Sequence, residues 1–164
     1  MKQTDLQKIF IMLVGVPAAG KSYFIKHKLS LLYPAATFVV ISSDDIIERK
    51  AAEQGKTYSD VFQDEIKNAT SEMNQAFAIA VANGDNIVLD QTNLSPKVRR
   101  GKLSHVPKGY TKIAVVFPIP DHNQLKKRLA SRPGKNIPAH IVSSMINNFQ
   151  PPSKDEGFDQ IISP

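Results

Sequence analysis

Gly15-Val16-Pro17-Ala18-Ala19-Gly20-Lys21-Ser22 is the stretch that decides the fold. It matches G-x-x-x-x-G-K-[ST], a phosphate loop where a strand runs into it and a helix leaves it. Both conditions hold here. Ile9 to Val14 is a continuous apolar run, the pattern of a strand covered on both faces, and a helical pattern extends from about Gly20 to Leu31. Gly15 and Gly20 admit dihedrals and close approaches that a side chain blocks. The loop's N–H groups, with the helix N-terminus, then make an anion site along Pro17, Ala18, Ala19 and Gly20. Lys21 is predicted to reach the β- and γ-phosphates of a nucleoside triphosphate, and Ser22 to ligate Mg²⁺.

Working outward, strand-type and helix-type patterns alternate. Thr37 to Ile41 is a second apolar run, closed by Ser42-Ser43-Asp44-Asp45, which carries helix N-cap chemistry. Ser59 to Asn83 reads as one long amphipathic helix, with Phe62, Ile66, Ala69, Met73, Phe77 and Ala80 at three- and four-residue spacing and a stop at Asn83-Gly84. Asn86 to Leu89 and Lys112 to Phe117 predict two more strands. Asp121 to Ser131 and Pro138 to Asn148 predict two more helices, and Phe158 to Ile162 a final edge strand. Such alternation implies βαβ units and a mostly parallel sheet covered on both faces, a three-layer α/β sandwich.

Composition sets the outer bounds. The chain has 164 residues with 41% hydrophobic and 22% charged, which predicts one domain over residues 1–164 that buries its own core. With no cysteine there is no disulfide framework, thiolate nucleophile or Cys-based zinc site. No apolar run has the roughly 18 residues of a membrane span. The first eight residues are polar with no leader pattern, so a cytoplasmic protein without a membrane partner is expected. The net charge of +6 is unevenly spread. Lys97 to Lys135 holds eleven Lys and Arg against the single acid Asp121, whereas Asp44 to Asp90 holds ten acids against four basic residues. This asymmetry points to an anionic partner, nucleic acid among them.

Two carboxylate sites end predicted strands, at the sheet edge where open α/β folds place ligands. Asp44 could orient an attacking hydroxyl and accept its proton; the competing reading is a helix cap, the plainer role for Asp45. Asp90 ends Ile87-Val88-Leu89 and could hold Mg²⁺ directly or through water. Thr92 and Asn93 beyond it could orient substrate oxygens or simply build a turn. Arg128 and Arg132 lie where a helix gives way to Pro133-Gly134. They could close over a triphosphate and neutralise charge developing in transfer, or merely complement a helix C-terminus.

Taken together, Gly15–Ser22, Ser43-Asp44-Asp45, the block from Asp90 to Pro96, Arg128 to Arg132 and the segment from Phe149 to Phe158 resemble the 5′-hydroxyl polynucleotide kinase family, in particular the kinase domain of its phage members. The likeness covers nearly the whole chain in order. It implies a P-loop kinase-type αβα sandwich with a small helical lid. It implies ATP and Mg²⁺ as cofactors and a 5′-hydroxyl end of DNA or RNA as acceptor. By the same likeness Asp44 is the general base, Lys21 and Ser22 hold triphosphate and Mg²⁺, Arg132 is the lid arginine on the transferred phosphate, and Asp90 to Asn93 line the donor–acceptor junction. The family has an arginine just before the paired Asp and another three residues after the first Asp. Here Ser43 and Ile47 stand in those places, with Arg49 two residues on. Arg49, Arg99 and Arg100 are therefore the expected acceptor contacts, along a basic path from Lys97 to Lys112. No 3′-phosphatase activity is expected.

Two other readings stay open. A kinase of the same fold acting on a small hydroxylated metabolite accounts for the two missing arginines. A nucleotide-binding module without transfer is the reading from a different class, and the paired acids and lid arginines argue against it. The sequence lacks the N-K-x-D guanine motif of GTPases.

Overall fold

The computed structural model describes residues 7–164, so of the polar opening stretch residues 1–6 lie outside the described residues. The sheet grows from strand β1, Lys8–Val14, which is buried from Phe10 onward. Its side chains alternate between two cores. Phe10, Met12 and Val14 join Ile41, Met73, Ala80 and Leu89 on one face, while Ile11 and Leu13 join Phe24, Leu29, Val88 and Phe117 on the other. A strand with both faces covered belongs at the centre of a parallel sheet. The remaining strands are β2 (Phe38–Ile41), β3 (Asn86–Leu89), β4 (Tyr110–Val116) and β5 (Gln160–Ile162), in the order β2-β3-β1-β4-β5. All four pairings are parallel, with Ile11 opposite both Val88 and Ile113. The short strands β2 and β5 form the edges. Val39 and Val40 are partly exposed, since β2 is an edge strand with a neighbour on one side only.

Helices α1 (Lys21–His27) and α2 (Leu29–Leu32) supply Phe24 and Leu29 to one layer. The helix expected over 20–31 is thus two, broken at Lys28, which caps the first and opens the second. On the other side lie α3 (Ser43–Glu53) and α4 (Tyr58–Asn83), the latter 26 residues long. Helix α4 starts with a reciprocal capping box between Thr57 and Asp60 and ends at Gly84 in the left-handed region. Helix α5 (Pro96–Leu103) follows Ser95, whose side chain caps Val98 N–H, with Pro at the first helical position. This helix was not among those expected from periodicity. Helices α6 (His122–Ala130) and α7 (Ala139–Asn147) and the loop between them complete the chain before a short 3₁₀ turn, Lys154–Glu156.

Because β3 and β4 flank β1 on opposite sides, the connections leaving β1 and β3 diverge and open a crevice at the carboxyl ends of the strands, the ligand position of this architecture. The phosphate loop follows β1, Ser42 to Asp45 follow β2, Asp90 to Asn93 follow β3, and Phe117 follows β4. Among the described residues no helix is long and apolar enough to cross a membrane.

Candidate active site

The phosphate loop is fixed by its neighbours. Gly15 N–H donates to Thr92 O at 3.0 Å, and Phe117 N–H donates to Val14 O at 2.8 Å. A Cβ on Gly15 would stand 2.9 Å from Phe117 Cβ, so only glycine fits between loop and strand end. Gly20 has φ +110° and Ala18 φ +63°, which turns successive N–H groups toward one side. Helix α1 has no side-chain cap, so its first-turn N–H groups are left for a ligand. Lys21 Nζ donates to Gly15 O at 2.9 Å and Val16 O at 2.8 Å. Burial lowers its pKa to about 8, against the opposing pull of Asp90 and Asp44.

A cleft of about 1390 Å³ opens in front of the loop, larger than one small ligand requires. Pro17, Ala18, Ala19, Gly20, Lys21, Ser22, Asp44, Asp90, Thr92, Arg128 and Arg132 all line it. The structure thus brings together residues drawn from four separate segments. The cap of α3 is Ser42, whose side chain accepts from Asp45 N–H. That leaves the Asp44 carboxylate free of capping and turned to the cleft. Its Oδ1 accepts from the Tyr58 hydroxyl at 2.8 Å and its Oδ2 from Lys135 Nζ at 2.8 Å. Burial pushes the Asp44 carboxyl up. The hydrogen bond and charge of Lys135, with Tyr58 and Arg132, outweigh that and hold it below its ordinary value. Asp90 goes the other way: burial raises it, and Asp45 and Asp44 add to the rise against the pull of Lys21.

The donor side fits a polyanion. Arg128 Nη1 donates to Ala18 O at 3.1 Å, directly on the loop. Arg132 Nη1 is buried and, among the described residues, has no hydrogen-bond partner. A buried guanidinium nitrogen without an acceptor is a position that a phosphate oxygen satisfies. A divalent cation also fits. Ser22 and Asp90 share the cleft, and a cation would relieve the mutual repulsion of Asp44, Asp45 and Asp90. Among the described residues no three His, Asp or Glu side chains form a metal cage. Mg²⁺ here would take most of its ligands from phosphate and water, as this cation commonly does.

Four expected acceptor contacts lie elsewhere. Arg99 is fully buried on the inner face of α5, bonded through Nε and Nη2 to Glu156 at 2.7 and 2.8 Å and through Nη1 to Asn93 O at 2.9 Å. Each guanidinium nitrogen has a partner inside the fold and none reaches solvent, which corrects the expectation that it meets substrate. Arg100 points to solvent and pairs with Asp155 at 3.3 Å. Arg49 pairs with Glu72 on α4, outside the cleft. Asn93 is 2% exposed, with φ +51°. Its amide donates to Leu13 O at 2.7 Å and its Oδ1 accepts from Lys102 at 2.6 Å, so it braces the β1 and β3 ends rather than touching substrate. No basic residue from Lys97 to Lys112 lines the cleft. Conversely, Tyr58 and Lys135 are central to the site and were not singled out by the sequence. Helix periodicity gives Tyr58 no special mark, and Lys135 is 91 residues from its partner.

A parallel α/β sheet with a phosphate loop at its centre, an acid on the opposite wall and arginines on a helical flank defines a P-loop kinase-type domain. The chain belongs to the AAA domain family, whose profile matches residues 10–152. Solved structures agree on the fold. A candidate kinase from Chloroflexus aurantiacus j-10-fl superposes with a TM-score of 0.68 at 15% identity, over 96% of this chain and 88% of that one. A chain of the Pnkp1/Rnl/Hen1 RNA repair complex gives 0.64 at 20% identity, over 90% of this chain and 45% of that one. Shikimate kinase from Acinetobacter baumannii in complex with shikimate gives 0.52 at 20% identity, over 96% and 84%. The chain spans less than half the length of the RNA-repair chains it matches.

Proposed function

We propose that the protein is an ATP- and Mg²⁺-dependent kinase that phosphorylates a 5′-hydroxyl end of DNA or RNA. The observation that carries this reading is the Asp44 carboxylate, oriented by two partners and half exposed to the cleft that the phosphate loop shares. Bound with Mg²⁺, ATP supplies a γ-phosphoryl group whose bond to the β-phosphate breaks as the acceptor oxygen bonds to phosphorus. Asp44 orients the acceptor hydroxyl and takes its proton as that bond forms. A low-pKa carboxylate suffices for this, since a loose transition state asks mainly for alignment. Lys21, Arg132 and Arg128 spread positive charge over the phosphate oxygens, and Ser22 with Asp90 would hold the metal. The expected contact of Thr92 with acceptor oxygens is kept, as it lines the cleft.

The test is transfer of labelled γ-phosphate to a short 5′-hydroxyl oligonucleotide, run with wild type and Asp44→Asn. The variant is expected to lose about 10²–10⁴-fold in kcat with ATP affinity kept. Full activity in Asp44→Asn would overturn the assignment. One observation favours a second reading, a small hydroxylated acceptor: Arg49, Arg99 and Arg100 stay out of the cleft. Turnover of small acceptors without turnover of oligonucleotides would establish it. Transfer to oligonucleotides that falls steeply with salt would reject it.

A further inference from the structure

The loop between α6 and α7 carries Arg132 toward the phosphate side, and three residues later Lys135 toward the acid side. It is stitched to the first turn of α4 by two hydrogen bonds: Ser59 N–H donates to Gly134 O at 2.9 Å, and Asn136 N–H donates to Ser59 Oγ at 2.9 Å. Gly134 has φ +67°, and a Cβ there would stand 2.7 Å from Thr57 Cβ, so the docking is close. Docked in this way, Lys135 is 7% exposed. Its ammonium bonds Asp44 at 2.8 Å and Glu48 at 3.3 Å and lies 4.2 Å from the centre of the Tyr58 ring. An exposed ion pair would carry little meaning. Here the cation is desolvated by Tyr58 while the Asp44 side chain stays half exposed, an asymmetry that leaves the carboxylate able to receive a further hydrogen bond.

We propose that Lys135 is a positioning residue that holds the Asp44 carboxylate toward the acceptor and makes its placement depend on the docking of the loop that carries Arg132. This rests on Asp44 as the base. One loop then reports phosphate-side closure to the acid side, so base and lid arginine are brought into place by the same movement.

The charged and titratable groups around Asp44 are Lys135 and Arg132 from this loop, Tyr58 from α4, Lys21 from the phosphate loop, Asp90 beyond β3, and Asp45 and Glu48 on its own helix. Of these, Lys135 makes the only cationic hydrogen bond to it. Removing that cation should raise the Asp44 titration midpoint.

The experiment is a carbon-detected NMR titration of the Asp44 carboxyl in the whole chain without nucleotide, alongside the pH profile of kcat. Lys135→Met is expected to raise the Asp44 midpoint, move the acid limb of kcat to higher pH, and lower plateau kcat by about tenfold or more while KM for ATP changes less than about twofold. Lys135→Arg should restore the midpoint and most of the rate. Gly134→Ala keeps the lysine in the sequence but opposes docking of the loop that brings it to Asp44, and should raise the Asp44 midpoint in the same direction. An unmoved midpoint and acid limb in Lys135→Met would overturn the positioning role, and an unmoved midpoint in Gly134→Ala would overturn its dependence on docking. Should Lys135→Met not fold, Gly134→Ala and Lys135→Gln give the same readout. The two ideas fail separately. Full transfer by Asp44→Asn removes the base assignment, whereas an inactive Asp44→Asn beside a wild-type Lys135→Met profile removes only this inference.

Discussion

Glu156 with Arg99 and Asp44 with Lys135 are both carboxylate–cation pairs joining distant parts of the chain, and they differ in what is left over. Arg99 and Glu156 have side chains 0% and 1% exposed, and every guanidinium nitrogen has a partner. Glu156 also accepts from Ser153 N–H at 3.3 Å. The pair ties α5 to the 3₁₀ turn and, through Asn93, to the end of β3. It is closed, with nothing to offer a ligand. Asp44 and Lys135 are bonded at similar length, yet the carboxylate side chain remains 50% exposed and faces the cleft. Charge that is fully committed organises the fold; charge that is oriented but unfinished is available for chemistry. The difference also explains why a count of basic residues did not find the ones that line the cleft, since a count does not distinguish paired cations from open ones.

The strongest way to break the comparison is to truncate the closed pair. Arg99→Met leaves a buried carboxylate uncompensated, which costs about 3–5 kcal/mol, and should lower Tm by roughly 6–20 °C. The remaining folded protein should keep its kcat, and Arg99→Met with Glu156→Leu should recover much of the loss. Calorimetry and single-turnover assays check both halves. A variant that loses transfer to oligonucleotides with its Tm intact would show that Arg99 serves substrate after all.

Asp90 sharpens the open side. Its folded pKa is raised by burial first, then by Asp45 and Asp44, so its charge is a burden to the free protein at neutral pH. That cost is fully present above the folded pKa, shrinks as pH falls through it, and vanishes below the unfolded value. Asp90→Asn should therefore raise Tm at pH 7, with the gain disappearing on acidification, while impairing Mg²⁺-dependent transfer. Asp44 has the opposite sign: its pairing stabilises the fold above the unfolded value and is lost as pH falls through the lowered folded one. Thermal scans of Asp90→Asn and wild type between neutral and acid pH check this, and a Tm gain that grew on acidification would contradict it.

Much of this was legible in the sequence. Apolar runs gave all five strands to within two residues at each end; the clearest was β1, apolar from Ile9 to Val14 because both its faces are covered. The phosphate loop was legible because its geometry demands particular residues at fixed offsets. Asp44, Asp90, Arg128 and Arg132 were legible by their places after strands or at a helix end, and they do line one cleft. Helix α5 was missed because only Arg99 and Leu103 are buried along its eight residues, too few for a period to emerge. Those two buried residues sit four apart, and an Arg sharing a face with a Leu was the one available sign that it points inward. Tyr58 and Lys135 were not legible, since their meaning lies in contacts across the fold. The break at Lys28 likewise has no glycine or proline to mark it.

The smallest expected effect separates two ways of holding Asp44. Ser42 caps α3 through its bond to Asp45 N–H at 3.3 Å, two residues before Asp44. If the start of the helix fixed the carboxylate, Ser42→Ala would disturb both stability and rate. If Lys135 and Tyr58 fix it, only the cap is lost. Removing such a cap costs about 1 kcal/mol, hence a fall in Tm of roughly 2–4 °C, with kcat within about twofold of wild type because the partners that orient Asp44 come from α4 and the α6–α7 loop. Paired melting and initial-rate measurements decide between them. A rate loss well beyond twofold in Ser42→Ala would place the control of Asp44 in its own helix rather than in Lys135 and Tyr58.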